Sequence, residues 1–525
     1  MIKDISRRSF VRKSVNMTMT LGALSTVASC GPKSNTSLSP WTRPIGANED
    51  IRIAIVGCNS HGAYAHLRNY LKMPGVRVVA LCDPDRSVLR RESEFLSKAN
   101  INVDTFTDIR KLLERKDIDA ISGATPNHWH ALSSVWACQA GKHVCVEKPI
   151  SHNIWEGRKI VEAAAKYNRL VQADLDKRSN EANDQAIEYI QKGKLGKVKL
   201  IHAWVYKRRK SIGLVSELPA GHGIVPKEID YDLWCGPAPK IPLPRKDLHY
   251  KWHWQWAYGN GEIGNNGPHM LDACRWVLGQ PGQPKRVMTV GGRFGYIDDG
   301  QTPNTSVTLY EYDDSAILFE VRGMPRKTGD KIMDPYFATS KGGIKISSPH
   351  NSGSPNNGLI VICENGYVNM KSVMDANLKT MVINAYDRSG KVIKQFKQGG
   401  ITSAGNFIKA LRSGKQTDLR TTIENGHIST SLCHLGNISY RIGSSATVDE
   451  INGIIKEDTQ AMDAVERMRE HLLLNNVDLG KTPITIGPML TFNSKTEKFT
   501  GEFAQRANKL VRREYREPFV IRDKV

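Results

Sequence analysis

Hydrophobic and polar residues follow a repeating order between Ile51 and about Asp174. Short apolar runs such as IRIAIVG and VRVVALCD alternate with segments of helical spacing such as AYAHLRNYLKM. Strands that alternate with helices of this length predict a parallel, doubly wound sheet with helices on both faces. We therefore predict a first α/β domain over residues 49–174.

The pattern changes after residue 174. GKVKLIHAWVYKRR alternates with a period of two, and SVTLYEYDDSAILFEVRG and LIVICENGYVNM each contain two strand-like runs around a turn. Hairpin signals of this kind indicate antiparallel strands with one solvated face. They predict a second, α+β domain over residues 175–445 with a large open, mainly antiparallel sheet. Residues 446–525 are predicted to be a C-terminal extension that packs on both domains.

The first residues have the pattern of a targeting segment. The adjacent Arg7 and Arg8 precede a mildly apolar stretch that ends in VASC at Cys30, which is typical of a twin-arginine signal followed by a lipobox. We predict a signal over residues 1–30, lipidation of Cys30, and a tether over residues 31–48. The protein would then be periplasmic, with membrane contact only through the lipid anchor. A plain N-terminal anchor or a fortuitous arginine pair is the alternative.

The formal net charge is +21, from 74 Lys and Arg against 53 Asp and Glu. The basic residues are scattered, and YKRRK, Tyr206–Lys210, is the densest internal cluster. Because no nucleic-acid-binding motif accompanies them, we expect no nucleic-acid partner. A solvated basic surface is the favoured interpretation, and an acidic glycan partner is the alternative.

A glycine-rich loop follows the first predicted strand. Gly57, Asn59 and Gly62 occupy the three positions of G-x-G-x-x-G, directly before a helix. Small residues there allow a tight turn and place a pyrophosphate at the helix N-terminus. Asn59 occupies the position of the middle glycine, and its side chain narrows the space in which a pyrophosphate would approach the backbone. The loop residues Cys58, Ser60 and His61 are predicted to contact the cofactor as well.

An acidic residue ends the second predicted strand. Asp83 lies about 20 residues beyond the glycine loop, where a carboxylate accepts hydrogen bonds from the adenosine ribose. This favours NAD over NADP, because a 2′-phosphate would meet the carboxylate. Arg86 is predicted to contact the cofactor, and its positive charge would weaken the preference for NAD, so NADP remains possible. A sheet of this kind without a nucleotide is the minority alternative.

Two further motifs follow later strands. TPNHWH begins at Thr125 and VEKP ends at Pro149. Ligands in open α/β sheets bind beyond the carboxyl ends of the strands, so both loops should line the cofactor. The predicted cofactor contacts in these loops are Thr125, Pro126, Asn127, His130, Glu147 and Lys148.

Together with YDLWCGPAP and WHWQWAYGNGEIGNNGPHMLDACRW, Trp252–Trp276, these motifs carry a family resemblance. Residues 50–445 resemble the glucose–fructose oxidoreductase/inositol dehydrogenase (Gfo/Idh/MocA) family, and in particular its exported twin-arginine subset. The resemblance implies an N-terminal Rossmann domain and a C-terminal domain whose open sheet often serves oligomerisation. It also implies NAD(P)-dependent chemistry on sugars or cyclitols, and a homo-oligomer is expected.

The resemblance also suggests the catalytic residues. Lys148 matches the family lysine beside the nicotinamide and the reacting hydroxyl, and His269 matches a histidine that acts as acid and base. Many members have an aspartate four residues before that histidine, where this chain has Asn265. An amide orients the ring without a full negative charge, so we expect a less basic His269. Arg178 matches a polar segment on the substrate side.

Several aromatic and histidine residues have two interpretations. Tyr258 and the alternate tryptophans before it are predicted to stack on a sugar, although such a pattern is more often a strand core. The histidines of TPNHWH and His253 come without supporting carboxylates, so no metal is predicted.

Three functions are consistent with these motifs. The first is an NAD(P)-dependent oxidoreductase of a secondary hydroxyl of a sugar or glycoside, whose tightly bound cofactor is recycled in place. The second is a redox-neutral, NAD-dependent glycosidase that oxidises, eliminates, hydrates and reduces its substrate. The third is a non-catalytic glycan-binding protein. Twin-arginine export carries folded proteins, so a cofactor bound in the cytoplasm would travel with the enzyme.

Overall fold

The structure is a computed structural model that describes residues 50–217, 225–243, 245, 247–334, 337–339, 345–347, 356–375 and 380–525. The predicted signal, the tether and Cys30 lie outside these residues. No helix of the described part is long and apolar enough to cross a membrane. All eight cysteines of the described part are buried and free.

The first domain contains a six-stranded parallel sheet in the order β3-β2-β1-β4-β5-β6. Its strands are β1 Ile51–Val56, β2 Val76–Cys82, β3 Asp104–Phe106, β4 Ala120–Gly123, β5 His143–Glu147 and β6 Val171–Asp174. The strand order reverses between β1 and β4, and this crevice is where such sheets bind ligands. The predicted doubly wound sheet is confirmed.

Helices connect the strands of this sheet. The first connection is a π-helical segment, Gly62–Leu67, that continues into a short α-helix; the α-helices are α1 Arg68–Tyr70, α2 Arg86–Ser97, α3 Ile109–Leu113, α4 Asn127–Gln139 and α5 Ile154–Lys166. Side-chain oxygens of Asp85, Asp108 and Asn153 accept the first free amides of α2, α3 and α5. These caps satisfy donors that the helices cannot satisfy internally and so define where each helix begins.

The second domain is built on a twelve-stranded sheet, mostly antiparallel, with the order β16-β15-β14-β13-β7-β10-β9-β8-β18-β17 and with β19 and β20 at its side. Among the strands that the structure describes in this sheet, only β7 and β10 pair in parallel. The strands are β7 Val198–Tyr206, β8 Arg286–Gly292, β9 Thr305–Glu311, β10 Ala316–Arg322, β13 Asn356–Cys363, β14 Gly366–Asp375, β15 Thr380–Asp387, β16 Val392–Lys397, β17 Ser444–Ala446, β18 Ile484–Ile486, β19 Leu490–Asn493 and β20 Lys498–Thr500. A separate pair is formed by β11 Phe337–Thr339 and β12 Lys345–Ser347. The predicted large, mainly antiparallel sheet is confirmed.

The helices of the second domain lie mainly along this sheet. They are α6 Glu181–Gln191, α7 Tyr231–Cys235, α8 Gly261–Asn265, α9 Gly267–Val277, α10 Ser403–Ser413, α11 Ile423–Arg441, α12 Val448–Ile455, α13 Thr459–Leu474 and α14 Ala504–Asn508. One face packs on α9 and α11 in the largest apolar core, which includes Leu271, Phe319 and Leu432. The other face packs on α12 and α13 through Leu309, Ile451 and Met468. Helices therefore cover both faces of the sheet around β9.

The last residues of the chain lie on the first domain. Phe519 and Ile521 are buried in the core that contains α4 and α5. Arg513 donates to the carbonyl oxygens of His128 and Ala257 at 3.3 and 3.1 Å. This tail therefore joins the first sheet to the loop that precedes α8.

Candidate active site

A cavity of about 1300 Å³ opens at the carboxyl ends of β1, β4, β5 and β6 and extends to the second domain. This volume exceeds the usual 300–1,000 Å³ of a small-molecule site. The predicted residues that line it are Gly57, Asn59, Ser60, His61, Asp83, Thr125, Pro126, Asn127, His130, Glu147, Lys148, Asn265 and His269. The structure thus brings residues from four strand ends and from α8 and α9 into one site.

The glycine loop has the geometry of a phosphate cradle. Gly57 has φ +82°, and a Cβ there would lie 2.7 Å from the backbone of Ala124. A Cβ on Gly62 would lie 1.8 Å from the Gly57 oxygen. Both positions therefore require glycine. The Asn59 side chain accepts from the Ser60 amide at 3.0 Å and from Arg91 at 3.1 Å, so its amide oxygen is held within the protein. These residues fit a dinucleotide.

Asp83 lines the cavity at the end of β2. Its carboxylate accepts the amides of Cys58 at 2.8 Å and Asp85 at 3.0 Å. Burial raises its pKa to about 6, although the two amides and His249 oppose that rise. Cys58 is fully buried, and Arg86 is exposed and outside the cavity lining. The predicted contact of Arg86 with the cofactor is therefore absent from this arrangement, because α2 points the side chain to solvent.

His130 connects the loop that begins at Thr125 to the loop that contains Lys148. Its ring nitrogens lie 2.7 Å from the Thr125 oxygen and 2.6 Å from the Pro149 oxygen. Asn127 donates to Asn260 at 3.0 Å, which ties the start of α4 to the second domain. His130 thus holds the loop of Lys148 against the loop of Thr125.

Glu147 is the centre of a buried polar cluster. One of its oxygens lies 2.8 Å from His61 Nε2 and 3.0 Å from His66 Nε2, and Ser122 lies 2.6 Å from the other nitrogen of His66. Burial lowers the pKa of His66, but Glu147 outweighs it and the net pKa is raised. Burial raises the pKa of Glu147, but Lys148 and the two histidines hold it well below the usual range.

The same three side chains, His61, His66 and Glu147, have the spacing of a metal site, with ligand atoms within 4.8 Å of one another. Metal ligation requires neutral imidazoles. Glu147 raises the pKa of His66, and a proton on that ring would compete with a metal ion for its nitrogen. We interpret the cluster as a hydrogen-bonded brace for the loop of Lys148.

Lys148 and His269 line the same end of the cavity. His269 Nδ1 lies 3.0 Å from a carboxylate oxygen of Asp176, at ion-pair distance but without hydrogen-bond alignment. The pKa of Asp176 is lowered, first by His269 and then, against burial, by Lys177 and Lys148. Lys148 and His269, both close to this carboxylate, can hold a hydroxyl and move its proton.

A carboxylate outside the local motif approaches His269. Asn265, the predicted orienting residue, makes no hydrogen bond with its buried amide nitrogen, whereas Asp176 approaches the ring. Asp176 comes from the 3₁₀ turn Asp176–Ser179 after β6, far from His269 in the chain. Tertiary packing therefore supplies the negative charge that the local motif lacks.

The predicted substrate role of Arg178 is wrong. Its guanidinium donates to both oxygens of Asp272 at 2.8 and 2.9 Å, and it lies 5.0 Å from the Trp276 ring centre. Arg178 is 4% exposed and Asp272 is 0% exposed. The side chain turns away from the cavity because it is the buried partner of Asp272.

The predicted substrate role of Tyr258 is also wrong. Tyr258 is fully buried, its hydroxyl donates to the Pro239 oxygen at 3.2 Å, and its ring packs against Trp234 at 5.0 Å. Trp252 and Tyr250 line the cavity instead. These two rings are the aromatic surfaces available to a sugar face.

Several cavity residues were missed by the sequence analysis. The missed residues that line it are Asp174, Asp176, Lys177, Lys207, His249 and Tyr250. Asp174, Asp176 and Lys177 follow β6, so the rule that ligands bind beyond parallel strand ends would have found them. Lys207 and His249 come from the second domain: Lys207 belongs to the basic cluster YKRRK, whose place beside the cavity the sequence does not show, and no local signal marks His249.

The six-stranded parallel sheet, its glycine loop and the cavity beyond its strands are the features of a Rossmann-type fold joined to a second domain. Residues 51–175 match the model of an oxidoreductase family with an NAD-binding Rossmann fold. Residues 212–328 match the model of the C-terminal alpha/beta domain of the same family. Residues 51–175 and 212–328 are thus similar to the two domains of the Gfo/Idh/MocA oxidoreductase family.

Curated relatives match only part of this chain. A glycosyl hydrolase family 109 protein of Shewanella woodyi is 32% identical over 119 residues, which are 22% of this chain and 25% of the relative. An alpha-N-acetylgalactosaminidase of Shewanella oneidensis is 28% identical over 173 residues, which are 31% of this chain and 37% of the relative. The chain thus matches well under half the length of these relatives.

Solved structures share the fold over most of the chain. A putative NADPH-dependent oxidoreductase of Desulfitobacterium hafniense has a TM-score of 0.52 at 15% identity and covers 74% of this chain and 95% of its own. Aldose-aldose oxidoreductase of Caulobacter crescentus, complexed with glycerol, has a TM-score of 0.51 at 14% identity and covers 73% of this chain and 95% of its own. At these identities the likeness shows the fold alone.

Proposed function

We propose that the protein is an NAD-dependent enzyme that oxidises a secondary hydroxyl of a sugar or glycoside and retains its cofactor between half-reactions. The observation that carries this proposal is the convergence of Lys148, His269 and Asp176 in the cavity that begins at the glycine loop. Asp83, at the end of β2 in the cavity lining, supports NAD over NADP, because a carboxylate that binds the adenosine ribose would repel a 2′-phosphate.

Oxidation of an alcohol requires that the hydroxyl proton leaves while a hydride leaves the same carbon. NAD, when bound, accepts that hydride and returns it. His269 takes the proton, and the Asp176 carboxylate, 3.0 Å from its ring, stabilises the imidazolium that forms. Lys148 donates to the hydroxyl oxygen and orients it. Glu147 and the histidines bonded to it hold the loop that carries Lys148.

Redox-neutral glycoside cleavage is the second candidate, and the names of the glycosyl hydrolase family 109 relatives favour it. A ketone in the sugar ring acidifies the neighbouring C–H. Loss of that proton to a base breaks the glycosidic C–O bond, and the aglycone leaves with a proton from the acid. Water then adds to the resulting enone, and hydride return restores the hydroxyl. Lys148 and His269 are the groups in the cavity that can exchange these protons.

A single preparation tests these proposals. The full chain, expressed with its leader, is denatured and its released small molecules are identified by mass spectrometry. We expect NAD(H) in near-stoichiometric amount. No released nucleotide, together with no NAD binding on titration, would contradict the enzymatic proposal and favour a glycan-binding protein.

Incubation with aryl glycosides, without an added hydride acceptor, distinguishes the two proposed reactions. Aglycone release without net NADH supports the glycosidase. Net cofactor reduction without aglycone release supports the oxidoreductase. His269→Gln and Lys148→Met should abolish either signal, whereas Arg208→Gln, an exposed cation outside the cavity, should not.

We also propose that the protein is exported by the twin-arginine route with its cofactor bound, lipid-anchored at Cys30, and assembled as a homo-oligomer through the second sheet. Cell fractionation of the wild type and of an Arg7→Lys, Arg8→Lys variant tests the export. Cys30→Ser should release the protein from the membrane fraction. Light scattering measures the subunit number, and a monomer would contradict the oligomer.

A further inference from the structure

Three lysines, Lys148, Lys177 and Lys207, line the cavity. Lys148 lies 3.8 Å from a Glu147 oxygen. Lys177 and Lys207 have no carboxylate within ion-pair distance among the residues that the structure describes, although both are partly buried. A bound anion could accept charge-assisted hydrogen bonds from both ammonium groups.

The acidic residues near them lie against other side chains. Glu147 lies against His61 and His66, and Asp176 lies against His269. Asp174 lies 3.9 Å from His66. None of these carboxylates forms an ion pair with Lys177 or Lys207, although Asp176 is near enough to Lys177 for that lysine to lower its pKa.

The surroundings add positive charge. Lys371, on β14, has a pKa lowered to about 8, first by burial and then by Lys177. Arg208 and Lys210 extend the run of Lys207 as exposed cations, whereas Arg209 is bound by Glu262 at 2.6 Å. The basic cluster YKRRK thus begins at the cavity and continues into solvent.

Position separates these lysines from the phosphates of the cofactor. The glycine loop follows β1, and Lys177 follows β6, three strands away in the sheet. Three strand spacings are about 14 Å. Lys177 acts on the carboxyl of Asp176 beside His269, and Lys207 directly follows β7 in the second domain. Both therefore lie on the substrate side.

We propose that the substrate is an anionic carbohydrate whose carboxylate or sulfate group is held by Lys177 and Lys207. The proposal rests on the proposed function and names the substrate class of the same site. Ammonium groups form short, charge-assisted hydrogen bonds with such anions. Trp252 and Tyr250 then contact the apolar sugar face, and Lys148 and His269 reach the reacting hydroxyl.

Binding to the purified holoprotein tests the proposal without turnover. Calorimetry compares glucose and galactose with glucuronate, galacturonate and the 6-sulfates of both sugars. We expect the anions to bind at least about 10-fold more tightly, the lower end of the range for hydrogen bonds to charged groups. Affinity should fall as salt rises. Comparison of the affinities for uronates and for sugar sulfates identifies which anionic group the site binds.

Matched variants locate the effect. Lys177→Gln and Lys207→Gln should each weaken anion binding roughly 10-fold and leave neutral-sugar and NAD affinity unchanged. Arg208→Gln removes the same charge outside the cavity and should change neither. Bound NAD retained in each variant shows that the fold is intact.

The same panel as aryl glycosides adds turnover. A preference for uronates or sulfates in kcat/KM that disappears in Lys177→Gln supports the proposal. Equal binding of neutral and anionic sugars, or unchanged preference in both lysine variants, overturns it while the enzymatic function stands. Absence of bound NAD and of all turnover would instead contradict the proposed function, and anion binding would still decide the role of the lysines.

Discussion

The buried pair of Arg178 and Asp272 offers a direct test of how the site is built. The guanidinium donates to both carboxylate oxygens at 2.8 and 2.9 Å, and Ser429 donates to the same carboxylate at 2.7 Å. Arg178→Met keeps much of the side-chain volume but leaves the carboxylate buried without its main partner. Breaking one side of a buried ion pair costs about 3–5 kcal/mol.

The assay is urea unfolding of the holoprotein, with KM measured on the folded variant. We expect a loss of about 3–5 kcal/mol in Arg178→Met, little change in KM, and partial recovery in Arg178→Met combined with Asp272→Leu, because an apolar pair needs no desolvation. Arg208→Gln serves as the surface control. Unchanged stability with a tenfold higher KM in Arg178→Met would refute the reasoning and restore a substrate role for this arginine.

Three further outcomes are expected. Asp176→Asn should lower kcat about 10²- to 10⁴-fold with a small change in KM, because His269 loses the negative charge that stabilises its protonated form. A variant whose kcat equals that of the wild type across the pH profile would contradict this role. NAD affinity should fall as the pH drops through about 6, the pKa of Asp83, because a protonated carboxyl is a weaker hydrogen-bond acceptor for the ribose hydroxyls. Titration with NAD at pH 5 and at pH 7.5 tests this prediction, and equal affinities at the two pH values would contradict it. Glu147→Gln should destabilise the fold more near pH 6 than at pH 8, because Glu147 raises the pKa of His66 in the folded protein. The stabilisation from protonated His66 is fully present below the pKa of the unfolded state, about 6.5, and is lost as the pH rises through the folded-state pKa. Denaturation of the variant and the wild type at both pH values measures the difference.

Local patterns in the chain predict much of the fold. The alternation that begins at Ile51 predicts the parallel sheet, and Gly57 and Gly62 predict the phosphate loop. The loops that start at Thr125 and contain Lys148 are predicted because parallel strands present their carboxyl ends at one edge. Each of these features depends on side-chain periodicity or on a turn a few residues long, and both are visible in the chain itself.

The charges around the reacting groups required the tertiary structure. Asp176 and His269 lie on elements far apart in the chain, and the packing of the turn after β6 against α9 brings them to 3.0 Å. The same packing places Arg178 against Asp272, whereas the resemblance suggested that it bound substrate. Periodicity shows which face of an element is buried. Which charged side chain meets which depends on how separate elements cross, and that is decided only when the whole core packs.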